Sequence, residues 1–282
     1  MNYEELLFDN EFMTLEGSSE LAKTAKDLHN RLGDHVSLII GYGSWVYGTQ
    51  KPDSMKDFIV VVDDPRQFYN ENEWVVQTPY VKPARSVEVQ TFLNRLSPNF
   101  YHLDGGKIKI GVISKAQFTS ETYSFSKYIG FRLTKPLAVF QIPGSGLSQD
   151  DSIDVISDLR EENLFRVISL LPRNFTFEDF ALKYVGVSYE ADVRFEDPSK
   201  IRSTYEANKS KFDKMFAFFL KDVPTYDGTN YTNNASAIDF YREKVSMALR
   251  KPLFLAQNFL NFFTAADPIG YTMRKMRLGT GK

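Results

Sequence analysis

Two short apolar runs separated by a polar turn form the clearest pattern along the chain. The first run, Leu38–Ile40, stops at a Gly-Tyr-Gly-Ser turn, and the second, Ile59–Val62, follows Asp57 and stops at Asp-Asp-Pro. Runs this short, rich in β-branched residues and bounded by turn residues, are typical of buried strands rather than helices. The pattern predicts a strand, a glycine-serine turn, a loop and a second strand over residues 37–64.

The remaining periodicity predicts a mixed α/β (α+β) fold. Apolar positions at helical spacing predict a helix over residues 18–32, capped by Ser18 or Ser19 and stopped by Gly33. The Gly105-Gly106 pair lies between two alternating runs and predicts a hairpin, which places Lys107 and Lys109 on one strand face. Further helices are predicted over residues 150–171, from Thr176 onward, from about 198 to 220, and over 237–264 with an interruption at Pro252.

A loop of proline, glycine and serine at residues 143–146 marks the predicted domain boundary. Three parts follow from it: a first domain over residues 1–142, a helical domain over 143–250, and a C-terminal segment over 251–282. A winged-helix-like form is one alternative for the helical domain.

Composition narrows the classes of function. A net charge of −2 and a pI near 6.0 argue against a nucleic-acid binder, which is usually basic. The absence of cysteine excludes disulfides and thiolate metal sites, and no run of about 18 apolar residues predicts a membrane span. The acidic, arginine-free start of the sequence is unlike a signal or transit peptide.

The turn after the first strand carries candidate chemistry. A glycine lets the backbone approach a phosphate closely, and the following amides and the Ser44 hydroxyl can donate hydrogen bonds to it. Asp57, at the head of the adjacent strand, can hold Mg²⁺, which usually binds one or two carboxylates plus substrate phosphates. The alternative interpretation is a surface turn between two core strands.

Six segments carry a family resemblance in the same order along the chain. They are GYGSWVYGTQ at 41–50, MKDFIVVVDDPRQFY at 55–69, KIKIGVIS at 107–114, FRLTKPLAVF at 131–140, VSYEADVRFEDPSK at 187–200 and FFTAADPIGYTMRKMRLG at 262–279. Together they resemble the Tam41 family, the mitochondrial-type CDP-diacylglycerol synthases or phosphatidate cytidylyltransferases, which also occur in some bacteria. Two departures are Phe131, where the family often has glycine, and Ile59, where the nucleotidyltransferase pattern usually has a second acid.

The resemblance implies a nucleotidyltransferase-fold mixed sheet and a Mg²⁺-dependent transferase (Mn²⁺ being the alternative metal) acting in phospholipid biosynthesis. The implied reaction joins CTP and phosphatidic acid to give CDP-diacylglycerol and pyrophosphate. The expected catalytic residues are Asp57, Lys109 and Asp192, with Asp57 and Asp192 as metal ligands. The expected nucleotide and phosphate ligands are Tyr42, Gly43, Ser44, Arg132, Lys135 and Arg194.

The C-terminal segment is aromatic, apolar and basic, and too short to span a bilayer. Such a composition favours contact with an anionic membrane surface, and the alternatives are a helix that closes the core or a homodimer interface. The expected location is the bacterial cytoplasm, peripheral on the inner face of the cell membrane, with no nucleic-acid partner. The expected membrane contacts are Phe259, Phe262, Phe263, Tyr271, Arg274, Lys275 and Arg277.

Two other functions stay open at this point. One is a nucleotidyltransferase with a soluble acceptor, which predicts activity without lipid and no binding to vesicles. The other is a non-catalytic membrane scaffold on a degenerate nucleotidyltransferase fold, which Ile59 favours and which predicts no binding of CTP or Mg²⁺.

Overall fold

The computed structural model describes residues 11–72, 87–96, 98–120, 129–190, 199–225 and 230–264, with backbone alone at 190, 250, 251 and 253–264. By its contacts the chain divides into two compact units. Among the described residues, the sheet unit lies within 11–120, 137–152 and 256–264, and the helical unit within 129–136 and 153–255. The predicted domain boundaries stay a prediction, because contacts alone do not test which segments fold independently.

A six-stranded mixed sheet forms the centre of the sheet unit. Its spatial order is β1-β6-β2-β3-β5-β4. The pairs β1/β6 and β3/β5 are parallel, whereas β2 pairs antiparallel with β3 and β6, and β4 with β5. The predicted α/β class is confirmed, and the sheet is consistent with a nucleotidyltransferase-like fold. The strands are β1 Phe12–Met13, β2 Val36–Tyr42, β3 Lys56–Val62, β4 Asn99–Leu103, β5 Ile108–Ser114 and β6 Ala138–Gln141.

Eleven helices lie in the part of the chain that the structure describes. Among them, none combines the length and the apolar character needed to cross a bilayer. The helices are α1 Glu20–Leu32, α2 Ser44–Tyr47, α3 Pro65–Glu71, α4 Val87–Leu96, α5 Lys115–Thr119, α6 Gly130–Leu133, α7 Gln149–Leu170, α8 Phe177–Glu190, α9 Ser199–Ala207, α10 Lys209–Leu220 and α11 Ala237–Thr264.

Helix α1 forms as its sequence predicts and covers one face of the sheet. The Ser19 hydroxyl accepts a hydrogen bond from the Ala22 amide at 3.1 Å, and Gly33 ends the helix at a φ of 82°. Ala25 and Leu28 are fully buried against the same face of the sheet as Phe58 and Val60. Because side chains alternate along a strand, Asp57 and Ile59 of β3 point to the opposite face.

The helical unit is held by a cluster of aromatic rings. The Phe216 ring of α10 lies 5.1 Å from Phe180 and 4.9 Å from Tyr184 of α8, measured between centroids. Thr176 caps α8, because its hydroxyl accepts from the Asp179 amide while the Asp179 carboxylate accepts from the Thr176 amide. The predicted capping by Thr176 is confirmed. Edge-to-face contacts between large rings favour a fixed packing of the two helices.

The structure corrects three expectations about elements. The helix predicted from about 198 to 220 is two helices separated at Asn208, and α11 runs through Pro252 without the predicted interruption. Lys107 lies exposed in the turn before β5, so it does not share a strand face with Lys109. Strands β1 and β6, and a small antiparallel pair of β7 (Asn174–Phe175) and β8 (Tyr231–Thr232), were not predicted.

A buried polar network ties α3 and α4 to the sheet. The Tyr69 hydroxyl accepts from the Asn99 side-chain amide at 2.8 Å and from that of Asn94 at 3.3 Å. The Tyr101 hydroxyl donates to Gln90 Oε1 at 2.7 Å. Burial raises the pKa of Tyr69, because the phenolate would lose its solvation. Hydrogen bonds between buried side chains of this kind restrict how the helices pack on the sheet.

We predict that Tyr69→Phe lowers the free energy of unfolding by about 1–2 kcal/mol, because two buried amide donors lose an acceptor. Chemical denaturation at neutral pH measures it, and Tyr241→Phe, at a side chain that is 66% exposed, is the matched control with a change near zero. The stabilising contribution of Tyr69 is fully present below the unfolded pKa of about 10 and is lost as pH rises toward the raised folded pKa. The difference in the free energy of unfolding between wild type and Tyr69→Phe should therefore shrink above pH ~10.

Equal losses of stability in Tyr69→Phe and Tyr241→Phe would contradict the role of the network.

Candidate active site at the turn after strand β2

The glycine-serine turn has a backbone that only glycine adopts readily. Gly43 has a φ of 85° and precedes α2, with its carbonyl accepting from the amides of Val46 and Tyr47 at 3.0 and 3.1 Å. Tyr42 is buried at the end of β2, and Ser44 is half-buried at the start of α2. The predicted turn is therefore confirmed, and it folds back tightly at the end of a central strand.

Asp57 lies directly beside this turn. It is the cross-strand partner of Tyr42 in the antiparallel β2/β3 pair. A Cβ placed on Gly43 would meet Asp57 Oδ2 at 3.4 Å, so the carboxylate borders the glycine backbone. The side chain is half-buried, and its carboxylate makes no hydrogen bond or ion pair with a residue that the structure describes. A partly exposed carboxylate in this state is ready to accept a cation.

Lys109 continues the same row across the sheet. It is the partner of Asp57 in the parallel β3/β5 pair, and partners in register share a face. The side chain is only 8% exposed, and its Nζ lies 4.4 Å from the centroid of the Phe100 ring. Tyr42, Asp57 and Lys109 thus form one row on the face opposite α1. The structure brings these three sequence-predicted residues together, and their roles stay predictions.

An apolar residue occupies the position where the nucleotidyltransferase pattern usually has a second acid. Ile59 lies on the same face as Asp57, fully buried, with Ile40 and Gly111 as its partners on the two neighbouring strands. Within the described ranges, no three acidic or histidine side chains group so as to hold a metal ion. The residues present fit a Mg²⁺ ion held by the single Asp57 carboxylate together with substrate phosphates.

Arg132 and Lys135 belong to the helical unit. Arg132 is half-buried in α6, and Lys135, two residues after that helix, is 3% exposed with its Nζ 4.0 Å from the Tyr189 ring centroid. The Arg160 guanidinium donates to the Lys135 carbonyl at 3.1 Å. Lys135 is therefore held at its backbone carbonyl by Arg160 and at its ammonium group by the Tyr189 ring.

Several predicted residues lie outside the described part of the chain. These are Asp192, Arg194, Tyr271, Arg274, Lys275 and Arg277, whose roles stay predictions. Phe259, Phe262 and Phe263 lie in α11, which is described there by its backbone alone.

Sequence reasoning missed Phe100, Gly111 and Arg160. Arg160 falls at an apolar position of α7, seven residues after Ile153 and four after Ile156, and it is fully buried. A charged residue on an apolar helix face could have indicated a buried cation with dedicated partners, since a buried charge needs them. Gly111 carried a signal as well, because a glycine inside a strand often marks a close approach.

Comparison with known proteins identifies relatives of one kind. The family described as "Phosphatidate cytidylyltransferase, mitochondrial" matches residues 25–256. Curated proteins of that name match at 26% identity in human over 71% of this chain, 27% in Caenorhabditis briggsae over 67% and 28% in Xenopus laevis over 67%. The matched regions cover 47%, 62% and 60% of those relatives, so the chain spans about half to three-fifths of their length.

The match includes the turn at Gly43, the strands that carry Asp57 and Lys109, and the segment with Arg132 and Lys135. It covers most of the chain and contains the described residues predicted to bind the nucleotide and the metal. The chain belongs to the mitochondrial-type phosphatidate cytidylyltransferase family.

Proposed function

We propose that this chain is a CTP:phosphatidate cytidylyltransferase, which makes CDP-diacylglycerol and pyrophosphate at a membrane surface. The observation that carries the proposal is the row of Tyr42, Asp57 and Lys109 beside the Gly43 turn, in a chain of this family. A carboxylate, a lysine and a glycine turn on one sheet face supply what a bound triphosphate needs: a metal ligand, a counter-charge and close backbone approach.

The proposed reaction is an in-line displacement at phosphorus. An ionised oxygen of phosphatidate attacks the α-phosphorus of CTP, a new oxygen–phosphorus bond forms, and the bond to the leaving pyrophosphate breaks. The second pKa of a phosphate monoester is about 6, so the nucleophile needs no general base near neutral pH. The protein's task is to position two anionic groups and to balance their charge.

Each described residue has one task in this scheme. Asp57 would hold Mg²⁺, or alternatively Mn²⁺, and the ion would supply charge neutralisation at the triphosphate. Tyr42, Gly43 and Ser44 border the β- and γ-phosphates, with the Ser44 hydroxyl as a hydrogen-bond donor. Lys109 balances the charge that develops on the leaving pyrophosphate. Arg132 and Lys135 are proposed ligands of the triphosphate or of the phosphatidate head group, with Asp192 and Arg194 added by the resemblance.

Helix α11 supports the proposed contact with lipid. Ile238, Tyr241, Val245 and Leu249 follow one another at helical spacing and are each 57–77% exposed. The acids of this stretch are engaged, since the Asp239 carboxylate pairs with Arg242 at 3.1 Å and that of Glu243 with Arg166 at 2.7 Å.

An uncovered apolar stripe whose acids are neutralised suits an anionic bilayer surface. We therefore extend the proposed membrane contact at Phe259, Phe262 and Phe263 back to residue 238. Peripheral attachment is part of this proposal. The bacterial membrane and its cytoplasmic face stay predictions, as does a homodimer.

A non-catalytic scaffold is the second candidate, and Ile59 is the observation that favours it. An apolar residue at the usual second acid removes one metal ligand from the nucleotidyltransferase pattern. Retention of Asp57 beside Gly43 favours catalysis instead.

We predict that Asp57→Asn lowers pyrophosphate release from CTP by about 100-fold or more, because the neutral amide is a poor ligand for a divalent cation. The assay contains CTP, Mg²⁺ and phosphatidate in anionic vesicles. Asp34→Asn makes the same charge change at an exposed carboxylate and should leave the rate unchanged. Turnover retained by Asp57→Asn would reject the assignment. A wild type that binds neither CTP nor Mg²⁺ would favour the scaffold, and release without phosphatidate would favour a soluble acceptor.

We predict that Gly43→Ala loses activity and that Gly33→Ala does not, because only the methyl group at position 43 would border the Asp57 carboxylate. Both glycines have φ near 80–85°, so either alanine costs roughly 1–2 kcal/mol of stability. The added Cβ meets Asp57 Oδ2 at position 43, whereas nothing lies within 4 Å of it at position 33. Denaturation and pyrophosphate release, measured on both variants, should show similar destabilisation but loss of turnover only at 43. Equal activities would argue against a phosphate site at this turn.

We predict that Tyr241→Ser combined with Leu249→Ser weakens binding to anionic vesicles by about tenfold or more, because apolar area that enters the interface is lost. Co-sedimentation with phosphatidate-containing vesicles measures it, and turnover on detergent-dispersed substrate should be preserved. Phe92→Ser removes an equally exposed apolar side chain from α4 and serves as the control. Unchanged vesicle binding together with loss of a dimer in analytical ultracentrifugation would assign the stripe to a second copy of the chain.

A further inference from the structure

Gly111 makes room for an aromatic ring. A Cβ placed on Gly111 would come within 2.7 Å of Phe100 Cε1, a distance that real side chains do not tolerate. The two residues are direct partners in the antiparallel β4/β5 pair. Gly111 is not among the glycines with positive φ. The glycine is therefore required for space, since the ring occupies the position that a side chain at 111 would take.

The same ring also contacts the ammonium group of Lys109. The distance from Lys109 Nζ to the Phe100 centroid is 4.4 Å, within the range of a cation–π interaction. Phe100 is 4% exposed and Lys109 is 8% exposed, so the contact is largely shielded from water. Shielding strengthens the attraction between a cation and a ring. Phe100 thus rests on Gly111 and contacts the end of the Lys109 side chain.

The arrangement decides where a flexible lysine places its charge. Lys109 has four rotatable carbon–carbon bonds, and its backbone position opposite Asp57 does not by itself fix the ammonium. Lys109, Gly111 and Phe100 all lie on the sheet face that carries Asp57. The Phe100 ring, which fits only over a glycine, lies 4.4 Å from Lys109 Nζ and so restricts where the lysine can place its ammonium on this face.

We propose that Phe100 and Gly111 are positioning residues that hold the Lys109 ammonium at the triphosphate subsite. The ligand identity rests on the proposed function, whereas the positioning of the ammonium rests on the geometry alone. Gly111 acts through Phe100, and Phe100 acts through Lys109. Lys109 and Gly111 on β5 and Phe100 on β4 therefore act together.

The first arm of the test observes the lysine without catalysis. In protein labelled with [ε-¹³C]lysine, the ε-methylene signal of Lys109, assigned by its absence in Lys109→Met, should be shifted upfield by the ring current. Phe100→Leu should return it to the ordinary position, whereas Phe140→Leu, which removes an equally buried ring from the opposite sheet face, should leave it shifted. An unshifted signal in the wild type, or one that Phe100→Leu does not move, overturns the proposal.

The second arm separates positioning from stability. Phe100→Leu should lower kcat/KM for CTP by about tenfold, and it should have no further effect on residual CTP binding in the Lys109→Met background. Gly111→Ala should lower both the thermal midpoint and the activity. Adding Phe100→Leu to Gly111→Ala removes the clash, so the midpoint should recover while the activity stays low. Recovery of both, or additive effects at Phe100 and Lys109, overturns the proposal. If the wild type releases no pyrophosphate, the proposed function fails and the lysine signal still decides the positioning.

Discussion

The register of β3 against its two neighbours is the constraint on which the site depends. Asp57 faces Tyr42 on one side and Lys109 on the other because β3 pairs antiparallel with β2 and parallel with β5. A slip of one residue would turn the whole strand over, bury the carboxylate in the α1 core and expose Phe58. The apolar residues of both faces therefore hold the register, and the hydrophobic core itself places the carboxylate beside the Gly43 turn.

Both units contain buried cationic side chains. Lys109 in the sheet unit, and Lys135 and Arg160 in the helical unit, are each at most 8% exposed. Removing a cation from water is costly unless hydrogen bonds, rings or anions compensate. The chain supplies part of this compensation through Phe100 and Tyr189. In each unit the fold itself therefore fixes the position of a buried positive charge.

The sequence predicted the elements whose signals are local and strong. The strand–turn–strand unit and α1 follow from short β-branched runs, a serine cap and a stopping glycine. Strand β6 has only four residues, which is too short for an alternating pattern to predict it. It joins the sheet by pairing with β2, a contact that the sequence does not reveal. Pro252 lies inside α11, so the local signal of a helix-breaking residue did not mark an end of this helix. The cluster of Phe100 on Gly111 depends on cross-strand pairing, which spacing along one strand cannot reveal.

The apolar residue at position 59 bears on which kind of acceptor the proposed reaction would use. An acid there would place a second charge on a fully buried face between Ile40 and Gly111, at a high desolvation cost. In sites with two cations, one stabilises the attacking oxygen and the other the leaving oxygen. A hydroxyl acceptor depends on such help because it is protonated at neutral pH, whereas a phosphate monoester is already largely ionised. On the described strands, a carboxylate at position 57 with apolar packing at position 59 is therefore better matched to the phosphate nucleophile of the proposed reaction than to an alcohol.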